Sequence, residues 1–199
     1  MNYKSYKNDM QIKSIRYDFG KLLAKKENII NNDVIICGSP NTGIPSGKGF
    51  ANSLGIKYEQ FIVKKTRDRS FILPSDSCRK LSNESNLFIN EEIVKNKDIC
   101  IVDDSLVRGN TIKVLIKKLK NIGVNDVHIR ISSPKVISEC YYGIDIPTKN
   151  ELIGCNKTEK EIAEIIGAKS LRYLNVEDIE NYFNRPLCTG CFTGKYIEW

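Results

Sequence analysis

Residues 100–111 read CIVDDSLVRGNT. An apolar run ends on two adjacent carboxylates, Asp103 and Asp104, and Arg-Gly-Asn-Thr follows at the start of a helical pattern. Burying both acids in a core would cost roughly several kcal/mol each without partners. Their place is therefore at a strand end, facing a ligand. The backbone N–H groups of Ser105, Val107, Arg108, Gly109, Asn110 and Thr111, together with the helix N-terminus, make a nest for a phosphate monoester. Gly109 permits close backbone approach, and Thr111 adds a hydroxyl donor. Two adjacent acids suit two adjacent ribose hydroxyls, and equally a hard cation such as Mg²⁺. A 5-phosphoribosyl group satisfies all of these features at once.

Two other stretches invite a chemical reading and do not support one. GIPSGKG (43–49) has the wrong spacing for a nucleotide-binding phosphate loop, and no Ser or Thr follows Lys48. It reads as a helix with small packing residues. The one histidine, His128, lies inside an apolar strand pattern and reads as structural, not as a catalytic base.

The elements that must position the acids follow from periodicity. Residues 11–26 form an amphipathic helix, with Ile12, Ile15, Phe19, Leu22 and Leu23 at helical spacing. Strands are predicted at 33–38, 58–63, 98–104 and 126–132. Helices are predicted at 44–55, ending on Gly55, and at 110–123, closed by Gly123. Residues 64–85 are polar, basic and rich in turn formers, which reads as a long mobile loop of functional kind. Short helices follow Pro134, around 158–166 and 176–182. Thr158 and Glu161 have the spacing of a capping box. Strand alternating with helix at this spacing predicts an α/β fold with a mainly parallel sheet flanked by helices. We read 1–199 as a single domain, with a disordered start over 1–10 and a C-terminal tail over 184–199.

At 199 residues the chain is long enough for one full core. No run approaches the roughly 18 apolar residues of a membrane span. MNYKSYKNDM has no secretory apolar segment. Seven dispersed cysteines, an odd count, argue against a disulfide scaffold and for the reducing cytoplasm. The net charge of +7 raises a nucleic-acid surface as one reading. The lysines are dispersed, so solvated helix faces and attraction of a polyanionic small substrate account for the charge better.

The segment IVDDSLVRGNT resembles the phosphoribosylpyrophosphate (PRPP) signature of type I phosphoribosyltransferases. SPNTGIPSGKGFANSLGIKYE, RSFILPS, VHIRISSP, CYYGIDIPTKNELI, IGAKSLRYL and CTGCFTGKY resemble, in order, the carboxyl-terminal domain of the amidophosphoribosyltransferase family, the glutamine PRPP amidotransferases of purine synthesis. The resemblance runs from about Gln11 to Tyr196. It implies the type I phosphoribosyltransferase fold and Mg²⁺-dependent transfer of a phosphoribosyl group to an amine, with ammonia preferred. It implies that Asp103 and Asp104 hold the ribose hydroxyls and, with Thr42, the Mg²⁺. It makes Ser39, Asn41, Thr42 and Gly43 the pyrophosphate loop, and Ser105 to Thr111 the 5-phosphate site. Residues 64–79 would close over PRPP, with Lys64 and Arg69 acting there and Arg69 neutralising charge on the leaving pyrophosphate. A homo-oligomer is also implied.

This chain departs from the family in five places. The glutaminase half, whose nucleophile is an amino-terminal cysteine, has no counterpart. The first cysteine, Cys37, lies in an apolar strand. Free ammonia, a separate glutaminase subunit, another amine acceptor, or a fragment of a longer product all remain open. Asn41 stands where the family typically has Asp, the tyrosine near Thr66 is missing, and SNLFIN replaces a basic segment. A non-catalytic PRPP-binding regulator is a further reading of these changes. Finally, Cys140, Cys188 and Cys191 match three of the four ligands of the [4Fe-4S] cluster found in one branch of the family. Either a fourth ligand completes such a cluster here, or the site is a relic.

Overall fold

The computed structural model describes residues 9–28, 31, 33–64, 87–146 and 148–196. Its elements in chain order are α1 (Asp9–Ala24), β1 (Ile35–Gly38), α2 (Ile44–Leu54), β2 (Ile62–Lys64), β3 (Leu87–Ile89), α3 (Glu91–Val94), β4 (Ile99–Asp103), α4 (Asn110–Ile122), β5 (Val127–Ile131), α5 (Glu159–Ile166), β6 (Ser170–Tyr173), α6 (Val176–Phe183) and α7 (Gly190–Thr193). A single 3₁₀ turn, Lys149–Glu151, precedes α5. Four strands form a parallel sheet in the order β1-β4-β5-β6. β2 and β3 make a separate antiparallel pair. The predicted α/β class with a parallel sheet flanked by helices is the one observed.

Both faces of the sheet are covered, which is why its central strands read as unbroken apolar runs. On one face, Ile99, Ile101, Ile129 and Ile131 pack with Leu115, Ile116 and Leu119 of α4 and Ile162 and Ile166 of α5. On the other, Ile36, Cys100 and Val102 pack with Leu23 of α1 and Phe50 and Ala51 of α2. The small residues of α2 serve the packing expected of them. A Cβ on Gly49 would lie 2.0 Å from the Tyr17 carbonyl oxygen, and one on Gly20 would lie 2.0 Å from that of Ser46. The backbones of α1 and α2 therefore touch at their crossing, and α1 has a single possible seating.

Helix ends follow local rules. Gly55 and Gly123 close α2 and α4 in the left-handed region. The Thr158–Glu161 capping box forms as predicted. A second box, Asn175 with Asp178, opens α6. The strand expected over 58–63 is reduced to a single parallel bridge between Tyr58 and Ile36, followed by β2. The reason is local: the Gln60 amide donates to the Gly38 and Ile62 carbonyls at 2.9 and 2.6 Å. These bonds turn the chain off the sheet edge. β3, α3 and β6 were not anticipated. β6 is short, and two of its four residues are polar.

His128 is buried, with Nδ1 2.7 Å from Ser170 Oγ. Burial and then the Arg130 charge lower its pKa, so it stays neutral as part of the interior. Arg130 itself is fully buried against the Glu27 carboxylate, to which Nη2 donates at 3.0 Å. Removing one partner of such a pair leaves a buried charge uncompensated, at a cost of about 3–5 kcal/mol.

Candidate functional site

At the carboxyl ends of β1 and β4 lies an open cleft of about 520 Å³. This is where ligands bind in open α/β sheets. Three segments meet there. Ser39, Pro40 and Thr42 come from the loop after β1, Asp103 to Thr111 from the end of β4 into α4, and Lys64 and Leu87 from the β2–β3 pair. Of the residues singled out from sequence, Ser39, Thr42, Lys64, Asp103, Asp104, Ser105, Val107, Arg108, Gly109, Asn110 and Thr111 all line it.

Asp103 is the last residue of β4 and is held from several sides. Its carbonyl accepts from the Ser132 N–H at 2.9 Å and from Ser132 Oγ at 3.1 Å. Ser132 Oγ also lies 2.9 Å from the buried Ser46 Oγ, whose hydroxyl can donate to it, tying the end of β5 to α2 beneath the site. Asp103 Oδ1 accepts the Asp104 N–H at 2.8 Å. Burial, and next the charge of Asp104, push the Asp103 carboxyl up to about 7. Two acids held this close favour a cation or a donor pair between them. Asp104 has a partner that the sequence did not reveal. Arg16 of α1 donates through Nη1 to Asp104 Oδ2 at 2.8 Å and to the Thr42 carbonyl at 2.8 Å.

The α4 end of the cleft is built for an anion. Gly109 caps the helix with φ +78°, a conformation other residues adopt only under strain. A Cβ there would also lie 2.7 Å from Ile153 Cδ1. No side chain caps this end, and no acidic residue stands in the first turn. The first-turn N–H groups and the positive end of the helix dipole therefore face the cleft unspent. The loop is braced from behind, where Ile153 N–H donates to the Val107 carbonyl at 2.9 Å. The Arg108 side chain pairs with Glu151 at 2.8 Å. That contact holds the exposed Glu151 carboxyl below its usual range.

Some predicted residues fall elsewhere. Asn41 is exposed and not among the cleft-lining residues, and Gly43 is buried beneath the loop, where a Cβ would meet the Val102 carbonyl at 2.4 Å. Gly43 acts through its backbone, by letting the loop lie against β4. Arg69, Cys78 and the expected closing loop lie outside the described residues. Pro40 and Leu106 line the cleft within the predicted loops, and Leu87, Ile112 and Leu115 line it without having been singled out. Their apolar character carries no signal until the fold is known.

Among the described residues, no three His, Cys, Asp or Glu side chains gather as a metal-binding group. Cys140, Cys188 and Cys191 are near enough for burial, and then the neighbouring thiols, to raise the Cys191 pKa. Cys188 is exposed and Cys140 and Cys191 are half-buried. With no such group among the described residues, the iron–sulfur reading has no support and is not carried further. Asp103, Asp104 and Thr42 do fit Mg²⁺, which is commonly held by one or two carboxylates plus substrate oxygens.

Comparison with known proteins gives the same picture. A family model described as "Phosphoribosyl transferase domain" matches residues 10–138. A protein of Methanocaldococcus jannaschii named amidophosphoribosyltransferase is 40% identical over 189 residues, covering 94% of this chain and 40% of its own length. One of Staphylococcus aureus with the same name is 40% identical over 193 residues, 93% of this chain and 39% of its own. Among solved structures, the glutamine PRPP amidotransferase of B. subtilis, complexed with ADP and GMP, is 36% identical with a TM-score of 0.78. It covers 92% of this chain and 42% of its own. The chain thus spans about 40% of the length of these relatives. No helix among the described residues is long and apolar enough to cross a membrane.

Proposed function

Because the chain belongs to the phosphoribosyl transferase domain family, we propose that it transfers the phosphoribosyl group of PRPP to ammonia, releasing pyrophosphate and 5-phosphoribosylamine. The observation that carries this reading is the uncapped N-terminus of α4 opening on the same cleft as Asp103 and Asp104. A helix end that favours an anion and two carboxylates one loop away suit the 5-phosphate and the ribose of PRPP.

In this reading, the N–H groups from Ser105 to Thr111 hold the 5-phosphate. Asp103 and Asp104 accept from the ribose hydroxyls and, with Thr42, hold Mg²⁺. When bound, Mg²⁺ supplies positive charge to the pyrophosphate as it leaves. Ser39 and Thr42 position the pyrophosphate, and Lys64 adds a cation at the rim. The bond from C1 to pyrophosphate oxygen breaks as the ammonia lone pair attacks C1, and the ammonium formed gives up a proton to solvent. No covalent intermediate is needed, so catalysis is positioning plus electrostatics. Arg69 and the segment 64–79 are assigned to closure, which would keep water from the reacting carbon.

The ammonia source is external to the residues described. Cys37 is fully buried in β1, and burial pushes its thiol up to about 11, so it is no glutaminase nucleophile. Free ammonia, a separate glutaminase polypeptide or a glutaminase segment of a longer product would supply the amine. The test is pyrophosphate release from PRPP and Mg²⁺ with ammonium salt, glutamine or neither. The reading expects ammonium-dependent release and none from glutamine. If the magnesium-saturated protein shows no affinity for PRPP, the reading is wrong. Binding without ammonium-dependent release would replace it with another amine acceptor or a PRPP-binding regulator.

A further inference from the structure

We infer that Arg16 is a positioning residue that locks the two halves of the phosphoribosyl site to each other. This inference rests on the phosphoribosyl-transfer reading above. The two loops that would grip opposite ends of PRPP start from different strands, β1 and β4. Arg16 bridges them from α1. One nitrogen, Nη1, donates to the Thr42 carbonyl in the first loop and to Asp104 Oδ2 in the second, both at 2.8 Å.

The arrangement is made for holding, not for touching substrate. Arg16 is not among the residues lining the cleft, and its side chain is only 16% exposed. Its helix is seated by the backbone contacts at Gly20 and Gly49, so the guanidinium approaches the loops from a fixed base. Asp104 stands beside Asp103 and would otherwise be driven away from it by like charge. The guanidinium holds it at the cleft wall. The Thr42 carbonyl, pulled toward the same cation, fixes the loop that must meet the pyrophosphate. Both grips are thereby set before PRPP arrives, and the ordering cost is not drawn from binding energy.

The experiment compares wild type, Arg16→Lys and Arg16→Met in two measurements. Ammonium-dependent pyrophosphate release gives KM for PRPP and kcat. Amide hydrogen exchange of residues 39–43 and 104–109, without ligand, reports the loops directly. Arg16→Met is expected to raise KM for PRPP about tenfold or more, with a further fall in kcat, and to speed exchange in both loops together. Arg16→Lys has three donors on one cation and recovers a large part of both effects. Unchanged exchange in the two loops of Arg16→Met overturns the inference. So does a drop in melting temperature with KM unchanged, which marks a merely structural arginine. A wild-type protein that binds no PRPP defeats the functional reading instead, and exchange then decides the Arg16 bridge by itself.

Discussion

The β4–α4 loop and the cysteine-bearing C-terminal region carry motifs of similar sequence clarity, yet the fold treats them oppositely. In the loop, an uncapped helix end and two acids at a strand terminus, one of them braced by Arg16, open on one cleft of about 520 Å³. Around Cys140, Cys188 and Cys191, backbone groups are satisfied locally, as where the Cys191 carbonyl accepts from Ile137 and Ser138 N–H at 2.9 and 3.1 Å. The nearby surface is aromatic, with Tyr141 and Tyr142 packed on Tyr196. A motif becomes a candidate site when the fold turns its groups into one common cleft.

The largest effect that bears on this contrast is expected from Asp103→Asn combined with Asp104→Asn. Ammonium-dependent pyrophosphate release should fall by about 10²–10³-fold, as when charge-stabilising groups are lost from an enzyme site. Near-normal turnover in that variant would leave the acids without a role. Next is Gly109→Val. The left-handed φ and the approach to Ile153 predict about 1–3 kcal/mol of lost stability in denaturant melts, and weaker PRPP binding by calorimetry.

A smaller effect distinguishes strain at the acids from ordinary surface charge. The Asp103 carboxyl is raised from 3.8 to about 7 in the folded state. The folded protein therefore holds a proton that the unfolded chain has lost, and ligand-free stability falls as pH rises from about 4 through about 7. Asp103→Asn should flatten that slope, gaining on the order of 1–2 kcal/mol at pH 8 because the half-buried group is partly screened. Melting curves of both proteins at pH 5 and pH 8, free of metal, check this. Equal slopes would show that the acids are not strained. The smallest change is expected from replacing Cys140, Cys188 and Cys191 with Ser. Activity should stay within about twofold, and stability within roughly 0.5 kcal/mol at the exposed Cys188. Loss of turnover, or iron that copurifies with wild type and not with the variants, would erase the contrast between the two regions.

The sequence made the strands and helices that read by period legible: α1, α2, α4, α5, α6 and the central β1, β4 and β5 lie where the apolar pattern puts them, within a few residues. β6 was hidden because SLRY alternates polar and apolar residues over only four positions, and nothing local marks it as a sheet edge. The segment 58–63 misled because its apolar ends suggest a strand, while the Gln60 side chain competes for the backbone. The Asp103–Thr111 site was legible because it is contiguous. Its acids, glycine and helix start are set by covalent order, and all of them line the cleft.

Arg16 was not legible. It lies 88 residues from Asp104, in an amphipathic helix where any arginine reads as surface. The same holds for Arg130 with Glu27, separated by 103 residues, and for Ser46 with Ser132, separated by 86. The local physics of turns, strand ends and helix termini acts within a few residues, so the residues proposed to bind could be read from one stretch of chain. Which distant charge meets them depends on how helices cross the sheet. That is settled by packing at contacts such as Gly20 against α2, and only the folded chain brings those groups together.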